Sequence, residues 1–308
     1  MRHDSESGLT QAPPAPAWMT QAERGRPGLI RGFAWIALTF GRGVGRLLLH
    51  PVAGYFLLFS VHARAASRKY LRLVLGREPR WVELYRHYYT FAAVILDRVY
   101  MLSGQYGRFD VRTFNEGFVH ELMGRGEGAF LLGAHVGSFE VLRFLGRAER
   151  SLKVRMVMYE DTAKHLNDVL GELNPAAAED IIGLGEVDSM LKVERALMNG
   201  EFVGMLADRT IQAEGTIPVS FLGAPAQVPL GPFRIAAIMR RPVIIMFGLY
   251  RGGNRYDIHF EHLVDLSGIG RATRDAIIEQ AVRRYVERLE HYCRLAPYNW
   301  FNFYDFWR

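Results

Sequence analysis

An α/β fold with a helix-covered, largely parallel central sheet is what this sequence predicts, and three observations carry it. From residue 129 onward, short apolar runs alternate with segments of helical periodicity, the pattern of strands joined by crossover helices. The run Val243–Tyr250 is apolar throughout, as a strand buried on both faces requires. About half of the 308 residues are apolar (49 %), enough for a large core, and a single α/β domain of this length is common.

The elements follow in order. Met1–Pro27 is polar and Pro-rich, lacks the apolar stretch of a secretory signal, and is expected to be a disordered tail. Ala66–Gly104 reads as two helices, the second carrying Tyr85, Tyr88, Tyr89, Ala92, Ile95, Leu96 and Val99 at helical spacing. Phe118–Met123 is a short helix leading through Gly124-Arg125-Gly126 into an apolar strand, Ala129–Ala134. Then come helix Phe139–Arg147, strand Lys153–Met158, and helix Ala163–Leu173 stopped by Pro175. Asp180–Leu184 is a strand, Ser189–Met198 a helix and Phe202–Ala207 a strand. Phe233–Met239 is helical, Val243–Tyr250 a buried strand, and Tyr256–Leu263 an outer strand of alternating pattern. Thr273 caps a final helix to about Arg294, with Ile277, Ile278, Ala281, Val282, Tyr285 and Leu289 on one face.

Charge is distributed unevenly. Between Glu23 and Arg86 stand eleven Arg and one Lys against three Glu, a net of +9 in a chain whose total is +6. The same block is very apolar (Phe33–Leu38, Leu47–Val61), and the longer run, which contains His50 and Pro51, falls short of the roughly 20 residues that span a bilayer. Two readings stand: a segment lying on an anionic membrane surface, peripheral or shallowly anchored, or core helices with arginine on the wet face. The basic residues are threaded through apolar runs and no nucleic-acid-binding motif occurs, so nucleic acid is not an expected partner. The single cysteine, Cys293, excludes an intramolecular disulfide framework and fits a reducing compartment. Residues 28–105 are expected to form a helical membrane-associating segment and 106–308 an α/β domain, with 28–308 one folding unit.

The chemistry is carried by His135-Val136-Gly137-Ser138-Phe139-Glu140. Its imidazole and carboxylate are five positions apart across a strand-to-helix corner, where they can face one another. On one continuous helix they would not. Such a pair suits a general base whose second nitrogen is held by a carboxylate. Ala134 and Gly137 are small and leave room for a substrate, and no Cys or G-x-S-x-G elbow supplies a nucleophile nearby. The base therefore activates a substrate hydroxyl or amine, which is acyl transfer without an acyl-enzyme. Metal is not expected, since H-x-x-x-x-E lacks a third close ligand and is not H-E-x-x-H.

Two further groups lie at strand ends. Asp208-Arg209 follows an apolar strand, where Arg209 either holds an anionic group with Asp208 orienting it or forms an ordinary ion pair. Gly215–Gly223 and Val228-Pro229-Leu230-Gly231-Pro232 form a Gly/Pro-rich apolar loop opening a helix, read either as the lining of an acyl slot or as a buried turn.

Together these residues resemble the lysophospholipid acyltransferase-like superfamily, in particular its lipid A late-acyltransferase branch and the less characterised relatives, over roughly residues 28–308. His135 to Glu140 matches the H-x-x-x-x-D/E motif and Phe202–Arg209 the substrate-contacting block. Pro218, Phe221 and Gly223 stand where the branch has a V-P-F-F-G-like run, and Ala296–Trp307 looks like the aromatic terminus of the relatives. The strand Val154–Tyr159 carries Arg155 without an Arg-x-x-x-Asn arrangement, and Asp208 is followed by Arg rather than Gln, both departures from the lipid A branch.

The resemblance implies the glycerolipid acyltransferase type of sheet and a catalytic pair of His135 and Glu140. It implies substrate contacts at Asp208, Arg209, Gly137, Ser138, Arg155, Pro229 and Gly231. It also implies an acyl carrier protein or CoA thioester as co-substrate rather than a bound cofactor, a membrane lipid or glycolipid acceptor, and a place on the cytoplasmic face of the bacterial inner membrane. Two rivals remain: a 1-acylglycerol-phosphate-type enzyme using acyl-CoA, and a non-catalytic lipid-binding protein on the same fold.

Overall fold

A computed structural model describes residues 27–142, 152–159, 180–184, 188–209 and 215–307. The tail expected over Met1–Pro27 lies outside them except for Pro27, and so does the helix expected over Ala163–Leu173. Of the helix expected over Phe139–Arg147, residues 139–142 are described: Phe139 and Glu140 lie in a bend and turn, and Val141 and Leu142 are helical.

The described residues begin with four helices: α1 (Pro27–Phe40), α2 (Arg42–Phe59), α3 (Val61–Leu75) and α4 (Trp81–Leu102). Gly41, at φ 89°, makes the turn from α1 to α2. At Ser60 the chain bends by 95° into α3, and Arg64 donates to the free carbonyls of Leu57 and Leu58 at the end of α2. Among the described residues no single helix is long and apolar enough to cross a membrane; the bent α2–α3 pair passes that test only when the two are taken together.

Arginine on the wet face is not what α2 presents. Arg42 and Arg46 turn inward onto Asp97 of α4, whose carboxylate is fully buried and sits 2.8 and 3.1 Å from them. Tyr256 donates to the same carboxylate at 2.9 Å, and both arginines also donate to the Gly253 carbonyl. A buried carboxylate is tolerable only with such compensation. Outward, α1 and α2 show Leu29, Trp35, Phe40, Leu47, Tyr55, Leu58 and Phe59, all more than half exposed. Since Leu49, Ala53 and Leu57 are buried on its inner side, α2 is apolar on both faces.

Among the described residues the sheet has seven strands: β1 (Asp110–Phe114), β2 (Phe130–Gly133), β3 (Val154–Tyr159), β4 (Ile181–Leu184), β5 (Phe202–Leu206), β8 (Pro242–Tyr250) and β9 (Arg255–Asp265), in the order β1-β9-β8-β2-β5-β3-β4. Every pairing is parallel except β8 with β9. Helices α5 (Gly117–Arg125), α6 (Ser189–Met198), α7 (Gly231–Met239) and α8 (Arg274–Leu295) follow.

Each buried strand feeds two cores. Phe130 and Leu132 of β2 join a cluster with α3, α6, α7 and α8, whereas Leu131 joins one with α1, α2, α4 and α5. β1 was not expected from the sequence: it is a five-residue edge strand with no apolar run, held in register by β9.

Residues 215–231, expected as a loop, contain an antiparallel hairpin of β6 (Thr216–Phe221) and β7 (Ala224–Pro229). Its two-residue turn, Leu222-Gly223, has φ values of 53° and 79°, the backbone that closes a hairpin with the right twist. Ile217, Val219 and Phe221 alternate inward on one arm. That alternation beside an X-Gly pair was the readable signal, masked by Pro218 and Pro225.

Candidate active site

β2 is the middle strand and β5 lies beside it in parallel register, with Gly133 opposite Leu206. His135 stands two residues past the end of β2, and Asp208 two past the end of β5. The register therefore delivers them side by side. His135 Nδ1 is 2.8 Å from Asp208 Oδ1, and the His135 backbone N–H donates to Oδ2 at 3.0 Å. Trp300 Nε1 donates to Oδ2 at 2.9 Å. Facing an ionised carboxylate, Nδ1 carries the proton and Nε2 is left as the acceptor.

This corrects the expected pairing of His135 with Glu140. The chain turns sharply after His135, and Glu140 points to α4, where its carboxylate is 3.1 Å from Arg98. Five residues around a corner do not force two side chains together, whereas adjacent parallel strands in register do. Asp208 likewise orients His135 rather than Arg209, which donates to the Phe301 carbonyl at 3.1 Å and lies over the Tyr304 ring.

Burial and then the Arg209 charge lower the His135 pKa below its ordinary value, outweighing Asp208, so the ring is neutral near pH 7. Its side chain keeps about a quarter of its surface exposed (26 %), enough for a substrate to reach it. Burial alone would raise Asp208, but the His135 and Arg209 charges and the Trp300 hydrogen bond hold it well below the usual carboxylate range.

The motif loop is locked by backbone contacts. Val136, Gly137 and Ser138 donate their N–H groups to Ala134 O, Asn299 O and Gly248 O, and Phe301 N–H donates to His135 O. With the His135 N–H on Asp208, all four N–H groups from 135 to 138 are engaged, so none of them is available to a developing oxyanion. Gly137 is thus a packing position rather than room for a substrate, and Ala134 and Ser138, both expected at the substrate, are buried beside it. A Cβ on Gly137 would sit 2.0 Å from the Gly248 oxygen, and one on Gly248 2.3 Å from the Ser138 oxygen. Beneath the loop the Phe139 ring fills the space that Gly133 and Gly204 leave by lacking side chains.

Three expected contacts do not join this group. Arg155 lies near the amino end of β3, paired with Glu201 at 2.8 Å and Asp180 at 3.4 Å, whereas His135 follows the carboxyl end of β2. Pro229 is buried at the end of β7, and Gly231 opens α7; their hairpin meets the site through Phe221, whose ring packs on Trp300 at 5.1 Å. Sequence reading missed Trp300 and Asn299. Asn299 holds the Tyr250 backbone by both amide atoms. The cluster of aromatics at the C-terminus was visible, but its partners were not. Among the described residues, no group of three His, Cys, Asp or Glu is placed to hold a metal ion.

The family model described as bacterial lipid A biosynthesis acyltransferase matches residues 28–308. No curated protein matches the chain. Five solved chains do. One is the crystal structure of the 1-acyl-sn-glycerophosphate (LPA) acyltransferase PlsC from Thermotoga maritima: 17 % identity, a TM-score of 0.35, and coverage of 80 % of this chain and 98 % of that one.

Proposed function

Because the chain belongs to the bacterial lipid A biosynthesis acyltransferase family, and is an acyltransferase, we propose that His135 is its general base. In this reading His135 Nε2 takes the proton of an acceptor hydroxyl as that oxygen attacks the carbonyl of an acyl thioester. The tetrahedral adduct collapses, the C–S bond breaks, and the imidazolium returns its proton to the leaving thiolate. The products are the acyl ester and the free thiol of the carrier. Asp208 holds the imidazole and stabilises its charged form, and Glu140 acts at a distance by fixing the loop to α4 through Arg98. Arg209, set beside the pair, holds an anionic part of donor or acceptor. The observation that carries this reading is the 2.8 Å contact between His135 Nδ1 and a buried carboxylate, with Nε2 left to a substrate.

The donor is an acyl carrier protein thioester, and the acceptor a lipid or glycolipid at the cytoplasmic face of the bacterial inner membrane. Supporting the membrane part is the apolar outer face of α1 and α2, with Trp35 62 %, Leu47 68 % and Leu58 60 % exposed beside a basic chain segment. Replacing these three by Ser is expected to abolish flotation of the protein with vesicles containing anionic lipid; flotation unchanged by the replacement would sink this part.

The catalytic reading is tested by acyl transfer from radiolabelled acyl-acyl-carrier-protein and acyl-CoA into extracted membrane lipids, comparing the wild type with His135→Ala. A labelled product lost in the variant supports it, and the mass of that product names the acceptor. If folded protein forms no His135-dependent product with either donor, the lipid-binding reading takes its place. A product formed from acyl-CoA alone would replace the carrier-protein donor.

A further inference from the structure

We propose that Trp300 is a positioning residue for the His135–Asp208 pair, its indole N–H fixing the buried carboxylate in the rotamer that meets the imidazole. The inference rests on His135 as the base, and goes beyond it by assigning a role to the C-terminal segment. Trp300 touches the site twice. Its side chain donates to Asp208 Oδ2 at 2.9 Å, and its backbone is bridged antiparallel to Val136 in the motif loop. Its carbonyl accepts from His87 Nε2 at 2.8 Å, while His87 Nδ1 faces the Ser67 hydroxyl at 2.8 Å. The ring is fully buried and meets Tyr70, Phe221 and Phe306 edge-on at 4.9, 5.1 and 5.0 Å. A side chain so constrained cannot swing its donor away.

Asp208 Oδ2 takes two N–H groups and Oδ1 takes the imidazole. Without the indole donor, the carboxylate has one fewer constraint on its χ2 rotation. Its negative charge is also less dispersed, so it draws the Nδ1 proton more strongly and stabilises the imidazolium. Both effects act on His135. Among the described residues, the other ionisable groups around the pair are Arg209 from the loop after β5, Tyr285 and Cys293 from α8, and Tyr304 from the C-terminal segment. Burial first of all raises the pKa of Tyr285, Cys293 and Tyr304, so they stay neutral through the range in which His135 titrates.

The experiment uses the full chain with 15N-labelled histidine and two variants: Trp300→Phe, and benzothienylalanine at position 300, which keeps the ring shape and replaces N–H by sulfur. Expected are a fall in kcat of roughly tenfold or more with KM nearly unchanged, and an NMR titration of His135 moved upward by about half a unit or more. Phe306→Leu loosens the same aromatic cluster without touching the N–H, and should lower the thermal midpoint while leaving the His135 titration in place. A benzothienyl variant with wild-type kcat and wild-type His135 titration overturns the proposal. So does a Phe306→Leu titration displaced as far as that of the Trp300 variants. If His135→Ala keeps its activity, the reading of His135 as base fails, but the titration still decides whether Trp300 acts on His135 through Asp208.

Discussion

Asp208 approaches His135 at 2.8 Å because β2 and β5 are parallel neighbours in register and each continues for two residues past its end. The pairing is a property of the sheet, not of the spacing within the motif. It separates the two carboxylates that could serve His135. Asp208→Asn offers Nδ1–H no ionised acceptor and favours the wrong tautomer, so kcat should fall by roughly a hundredfold to ten-thousandfold with the fold intact. Glu140→Gln should lose less, and its loss should follow a lower thermal midpoint, since it breaks the ion pair to Arg98. Steady-state kinetics beside thermal melts check both, and equal losses in kcat would count against Asp208 as the orienting group.

The pH profile has a definite sign. His135 must be neutral to accept a proton, and burial and Arg209 lower its pKa below the ordinary value of 6.5. The acid limb of kcat/KM is therefore expected below pH 6.5, with a plateau from there through neutrality. An acid limb centred above 6.5 would contradict this.

His87 makes stability pH-dependent as well. Burial holds its pKa down at about 4, against 6.5 in the unfolded chain. The unfolded state thus binds the extra proton between these values, so stability is complete above about pH 6.5 and declines as pH falls toward 4, by about 3 kcal/mol in all. Urea melts at pH 7 and pH 4.5 measure this slope, and His87→Gln should flatten it.

The front helices are anchored by charge inside. Asp97→Asn would leave the Arg42 and Arg46 guanidinium groups, each under a fifth exposed, without their carboxylate. The expected cost is about 3–5 kcal/mol, read as a lower denaturation midpoint.

Gly248→Ala tests the locking of the motif loop. Its Cβ would lie 2.3 Å from the Ser138 carbonyl oxygen, so β8 and the loop cannot both keep their places. Activity should be lost well before the thermal midpoint approaches collapse, because only the loop needs to move to spoil the His135 geometry.

Local patterns decided much about this protein in advance. Period-2 and period-3.6 apolar runs follow directly from which faces must leave water, so the buried strand of β8, the long helix α8 and the mainly parallel sheet could be read without coordinates. So could the place of His135, just past the end of an apolar strand. Its partner could not. Asp208 lies 73 residues away, and Trp300 is 92 residues beyond Asp208. Arg42 and Arg46 read as surface charge until α4 brought Asp97 against them. Hydrogen bonds and ion pairs between distant segments depend on strand order and register, which no window of sequence contains. The tertiary structure alone chose which carboxylate holds the imidazole.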